Sequence, residues 1–198
     1  MKNKRVKLGG LLIAAALCLS GYNLWDAHRA EQSAEQIVQQ LDLASADEQG
    51  ERQLSRGFDS AMEMPVVELG GNKYIGILSI PSLRLILPVM SEWSDSKLRL
   101  APCRYFGSAY SNDMIIAAHN YPAHFGMLKH LENGDEICFS DTAGNEFFYT
   151  VSETERLASS SLDEMKSGDW DLTLFTCTDA GKARMTIRCE RRENDAVK

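Results

Sequence analysis

Several things are scarce in this sequence, and each scarcity removes a class of protein. Proline occurs five times in 198 residues, glycine fourteen times, and no internal repeat is present. That composition excludes a collagen-like chain, a coiled coil and wholesale disorder. The five cysteines (Cys18, Cys103, Cys138, Cys177 and Cys189) include no CxxC pair, which argues against a zinc site. Positive charge is also short, with 21 Lys and Arg against 28 Asp and Glu for a net charge of −7. Lys2, Lys4, Arg5 and Lys7 crowd the N-terminus, so the rest of the chain is more acidic still. An acidic body does not neutralise phosphates, and nucleic acid is not an expected partner. Carboxylates are scattered through the loops without an EF-type loop, so neither a metal nor a cofactor is expected.

Long apolar runs are absent with one exception. The stretch from Leu8 to Trp25 carries no charge over about 18 residues, close to a bilayer span. Tyr22 and Trp25 suit the far interface, and the basic flank belongs in the cytoplasm. No convincing small-x-small site follows the run, so it reads as a retained anchor rather than a cleaved signal peptide. The expectation is a single-pass membrane protein whose body lies outside the cell. Cys18 falls within this span and cannot pair with the others. A disulfide among Cys103, Cys138 and Cys189 stays open, since an exported domain of this size also holds together without one.

The rest divides into two parts. Residues 26–72 form a stalk and linker: Ala27, Ala30, Ala34, Ile37 and Leu41 recur at helical spacing, and 48–72 is polar and closes on Gly70-Gly71. The helical stripe either packs on the domain or pairs with a second copy. Residues 73–198 are strand-rich. Strands are expected at Tyr74–Ile80, ending at Pro81, and at Leu83–Leu87, ending at Pro88. Others follow at Met114–Ala118, Glu136–Phe139, Glu146–Val151, Leu172–Thr176 and Ala183–Arg188. Helical pieces are short, near Asp95–Leu100, Phe125–Leu131 and Leu162–Lys166. Many strands with short connections make the fold mainly β, a closed barrel or sandwich.

Three residues stand out chemically. Cys177 ends an apolar strand, which fixes a side chain yet leaves it reachable for nucleophilic attack. A lone cysteine is more often a small buried hydrophobe. His119 ends another apolar strand and has the acid–base range for proton transfer. His124 and His130 read as surface residues, with His124 held in reserve. Arg184 lies on the strand returning from Cys177 and is placed to stabilise an oxyanion. Arg188, an even number of residues further on, points to the same face and competes for that role.

Together these residues resemble the sortase family. Thr173-Leu174-Phe175-Thr176-Cys177 is similar to its Thr-Leu-x-Thr-Cys nucleophile motif. Arg184-Met185-Thr186-Ile187 resembles the following strand, and Ala117-Ala118-His119 is similar to its Ala-Gly-His, with Ala118 in place of glycine. Arg104–Ser108 and Tyr74–Pro81 resemble further family strands, so the likeness covers about residues 73–191. It implies an eight-stranded sortase barrel that cleaves a Leu-Pro-x-Thr-Gly-like sorting signal on secreted surface proteins. The acyl group would pass through a thioester on Cys177 to an amine of a cell-wall precursor. His119 would act as acid and base and Arg184 would hold the acyl oxygen. Ala118, Asn120 and Thr176 would border the substrate. The linker carries no aromatic Asp-Pro lid motif and Arg191–Lys198 is polar, which favours protein anchoring over pilus polymerisation. Class features divide. About 17 residues from Glu155 to Leu172 suit an A- or D-like form, whereas Phe125-Gly126-x-Leu128 is similar to class B. Rival readings are a thiol peptidase that hydrolyses its peptide and a tethered binding module without activity. In a papain-like peptidase the cysteine would precede the histidine.

Overall fold

In a computed structural model of the protein, residues 12–21, 34–41, 62–178 and 181–192 are described. Nine strands run in sequence as β1 (Val67–Leu69), β2 (Asn72–Ile80), β3 (Leu85–Met90), β4 (Cys103–Phe106), β5 (Met114–Ala118), β6 (Glu136–Asp141), β7 (Glu146–Ala158), β8 (Leu172–Thr178) and β9 (Ala183–Arg191). Their spatial order is β1-β2-β3-β4-β5-β8-β9-β7-β6, and β6 returns to pair with β2. Eight strands therefore close into a barrel, and β1 hangs on the β2 edge beside β6. Closure satisfies ladder groups that an open sheet would leave at its edges.

The closing seam depends on a glycine. Gly76 pairs with Asp141 across β2 and β6, and a Cβ at Gly76 would overlap the Ser140 carbonyl oxygen. The β1–β2 hairpin depends on two more. Gly70 and Gly71 have φ of 57° and 76°, both left-handed, between the paired Leu69 and Asn72. A two-residue loop with that geometry matches the right-handed twist of its strands, and glycine adopts it without strain.

Alternation along the strands fills the barrel. Ile75, Leu78, Ile80, Leu87, Val89, Met114, Ile116, Phe139, Phe147, Tyr149, Leu172, Leu174 and Ile187 form one buried cluster. A second cluster lies on the outer face of β5 and β8, where Ile115, Ala117 and Phe175 meet Leu157 and Met165. The side chain of Met165 comes from the short helix Leu162–Lys166, found where the sequence places it.

Two strand limits differ from expectation. Arg84 has φ 54° and caps the 3-10 turn Pro81–Leu83, so β3 starts at Leu85. Pro88 does not end the strand but sits inside it, paired with Ile77. The other edge of β3 meets β4 only at Met90, so the missing N–H of Pro88 breaks no ladder bond. Strand β7 also outruns its expected end at Val151 and continues to Ala158 along β9.

The segment before the barrel is partly visible. Residues 34–41 are helical, with Ala34 against the main core and Leu41 packed with Tyr74, Met90, Ala101 and Cys103. Over these residues the apolar stripe packs on the domain. Val67–Leu69, within the stretch expected to be linker, forms β1. Among the described residues no helix is long and apolar enough to cross a membrane. Helical residues 12–21 are the middle of the run read as an anchor, and its remainder lies outside the described residues.

Candidate active site

Strands β5, β8 and β9 lie side by side, and their register assembles the site. Strands β5 and β8 run parallel, with Ala118 opposite Thr176. His119 follows the last residue of β5, and Cys177 follows Thr176 on β8. Strand β9 runs antiparallel to β8 and sets Arg184 directly opposite Cys177. Fifty-eight positions of sequence separate His119 from Cys177, and the parallel pairing of β5 with β8 brings the residues that precede them side by side, a relation that local pattern does not reveal.

Parity decides which way each side chain faces. Leu172, Leu174 and Thr176 are buried, the first two within the barrel core. The alternate residues Thr173, Phe175 and Cys177 take the outer face. Cys177 is exposed. The Arg184 guanidinium lies 5.6 Å from the Phe175 ring centroid, on that same face. Its Nε and Nη1 are buried without a hydrogen-bond partner among the described residues. A half-buried cation with unused donors beside an exposed thiol is a place where a developing negative charge is stabilised.

The other candidates occupy different roles. Thr176 is 2% exposed and its hydroxyl donates to the Ala118 carbonyl at 2.8 Å, tying the two strand ends together. Ala118 is buried as well, so the side chains of both serve the scaffold, whereas Asn120 is exposed beside His119. Arg188 does share the Arg184 face, but it is engaged elsewhere. Its guanidinium donates to Glu155 Oε1 at 2.6 Å, Thr173 Oγ1 at 3.1 Å, and the carbonyls of Met165 and Glu164 at 2.7 Å each. It clasps the Leu162–Lys166 helix to the barrel with four of its five N–H donors and is only 3% exposed, which keeps it from a substrate.

The thiols separate cleanly. All five cysteines are free. Cys103 and Cys189 are buried, and burial pushes the Cys103 thiol up to about 12 and the Cys189 thiol up as well. Cys138 is half-buried and also raised by burial. Within the barrel, Cys177 is the thiol that meets solvent.

His124 differs from the surface residue expected. It is fully buried, and neither ring nitrogen has a hydrogen-bond partner among the described residues. Burial, and secondarily the nearby His119, push it down to about 4, so it is neutral at physiological pH. Between the two histidines lies Tyr121, which sequence reasoning passed over. Its ring stacks on His119 at 4.9 Å and 29°, and sits 5.6 Å from His124. No periodicity marks a loop residue of this kind.

Aromatic side chains extend the site. Tyr105 meets Phe175 edge to face at 5.4 Å, and Trp93 meets Tyr105 at 5.7 Å. Trp93 and Tyr105 border an open groove of about 480 Å³ with Glu92, Arg104 and Phe106. Among the described residues no group of His, Cys, Asp and Glu side chains is arranged to hold a metal ion.

This arrangement matches known proteins. The family model described as Sortase domain matches residues 78–192, more than half of the chain. Among solved structures, sortase C1 from Streptococcus agalactiae is 25% identical, with 62% of this chain and 69% of that one covered and a TM-score of 0.54. Sortase C-3 from Streptococcus pneumoniae is 21% identical over 83% of this chain and 84% of its own, with a TM-score of 0.56. Listeria monocytogenes sortase A is 21% identical over 61% and 88%, with a TM-score of 0.53. No curated protein matches the chain.

Proposed function

The chain belongs to the sortase family, and from that premise we propose that it is a cysteine transpeptidase acting on a Leu-Pro-x-Thr-Gly-like sorting signal. The observation that carries this reading is the register of three neighbouring strands: exposed Cys177 is paired with Arg184, and the Ala118–Thr176 pair leads into His119 on one strand and Cys177 on the other. In the proposed reaction the Cys177 thiolate attacks the threonine carbonyl. Arg184 stabilises the oxyanion, and protonated His119 gives its proton to the departing glycine amine as the C–N bond breaks. The thioester keeps the acyl group activated. An incoming amine then attacks, His119 takes its proton, and the C–S bond breaks to restore the thiolate. Phe175, Tyr105 and Trp93 make an apolar track leading away from the nucleophile, suited to an extended peptide.

The partners in this proposal are secreted surface proteins that carry the signal and a cell-wall precursor that supplies the amine. The apolar run from Leu8 to Trp25 would hold the enzyme at the membrane with its barrel outside the cell. The test is mass spectrometry of the protein mixed with a panel of sorting-signal peptides, with and without amine acceptors. An acyl adduct on Cys177 that an amine converts to a new amide is the expected result. An adduct released only by water would make the protein a hydrolase. No adduct with any peptide, while Cys177 still reacts with a small alkylating agent, would point to a binding module.

A further inference from the structure

A buried histidine beside the candidate acid–base is unusual on physical grounds. An unpartnered buried polar group costs folding energy that an apolar side chain at the same place would not. The loop around His124 is nevertheless tightly determined. The His124 and Gly126 amides both donate to the Tyr121 carbonyl, at 2.9 and 2.8 Å, and the Phe125 amide donates to the His119 carbonyl at 3.2 Å. A Cβ on Gly126 would lie 2.7 Å from that Tyr121 oxygen, so the turn closes at this radius because glycine stands there. The turn sets the His124 ring against Tyr121, tilted at 46° with centroids 5.6 Å apart, and Tyr121 in turn stacks on His119.

We propose that His124 is a positioning residue: it packs against Tyr121, which stacks on His119, so that the plane of the His119 ring is set through a column of contacts from His124 to Tyr121 to His119. The inference rests on His119 being the acid–base of the proposed reaction. An imidazole that must deliver a proton to one atom and take it from another needs a fixed ring plane. A flat, neutral ring at the base of the column supplies rigidity without adding a charge next to a histidine that must itself become cationic. A lysine or arginine at this position would oppose that protonation.

The experiment uses the full chain labelled with 13C in its histidine rings. The His119 ring resonances are followed by NMR in wild type, His124→Ala, His124→Phe and Tyr121→Leu, with circular dichroism melts alongside. In the wild type, Tyr121 should displace the His119 signals by its ring current. His124→Ala and Tyr121→Leu should each remove most of that displacement, and His124→Phe should retain it. With an active peptide, the first two variants should lower kcat on the order of tenfold with KM little changed. Their double variant should lose no more than either alone. Tyr121→Leu alters a half-buried loop residue and keeps the test available should His124→Ala fail to fold. Unchanged His119 resonances in folded His124→Ala would overturn the proposal, and so would His124→Phe behaving like His124→Ala. Both readouts differ from failure of the wild type to acylate, which would count against the transpeptidase reading and leave the NMR result to judge the column.

Discussion

Cys177 and Arg184 are a registered cross-strand pair, yet their surroundings are opposite: the thiol is exposed, while two guanidinium nitrogens are buried with no partner among the described residues. Such donors cost folding energy, about 1–3 kcal/mol for a buried unsatisfied group. Arg184→Met should therefore melt at or above the wild-type temperature while acyl transfer falls about a hundredfold. Calorimetry and kinetics on the same preparation decide it. A variant that unfolds would show that this arginine is structural, and one that keeps full activity would remove it from the chemistry.

Arg188 should behave in the reverse way. It is 3% exposed, and its four hydrogen bonds satisfy Glu155, Thr173 and two carbonyls at the Leu162–Lys166 helix. Arg188→Met leaves those acceptors stranded and should destabilise the protein by about 3 kcal/mol. The expected reading is a clearly lowered denaturation midpoint with an unchanged m-value. No change would mean the clasp contributes nothing.

The thiols should react in a fixed order. In a Cys18→Ser chain, a small alkylating agent near neutral pH should label Cys177 first and Cys138 slowly. Cys103 and Cys189 should react only when the protein unfolds, because burial keeps both as thiols. Peptide mapping after partial labelling reads the order. Rapid labelling of Cys189 in the folded state would contradict the closed barrel around it.

Acid should weaken the fold through His124. Its folded value of about 4 lies below the ordinary 6.5. Above pH 6.5 neither state binds the proton, and this contribution to stability is complete. Between 6.5 and about 4 the unfolded chain takes up a proton that the folded chain refuses, so stability falls as pH falls. The loss reaches about 3 kcal/mol. His124→Phe should flatten that portion of the stability–pH curve in denaturant titrations. An equally steep curve would place the titration on another group.

What the sequence makes legible follows from what is local. Met114–Ala118 and Leu172–Thr176 are short, β-rich runs that read as buried strands, and both lie within observed strands. The Thr173–Cys177 motif places the nucleophile on one of them. The failures are non-local. Val67–Leu69 has too few residues to show a period, and it becomes a strand because the Gly70-Gly71 turn folds it onto β2. Pro88 reads as a stop until one knows that β3 is almost unpaired on that side. For Arg188, parity predicts the face but not the helix carbonyls that occupy it. The burial of His124 depends on a turn closed by Gly126 and on the core beneath, neither of which has a signature in the residues around it.

Strand β9 is the last of the nine in sequence, but it is inserted between β8 and β7 in the interior of the spatial order. A ribosome makes Cys177 and His119, whose strands pair directly, before it makes the strand that joins β8 to β7. Until residues beyond Ala183 arrive, β7 and β8 have no common neighbour, the thiol has no facing cation, and the two long ladders that β9 makes cannot form. Competence is thus granted all at once and late, at the final stitch. If the proposed chemistry holds, a nascent or clipped chain that ends before Ala183 carries the cysteine without its facing arginine, and activity would report that the last strand has been sewn in.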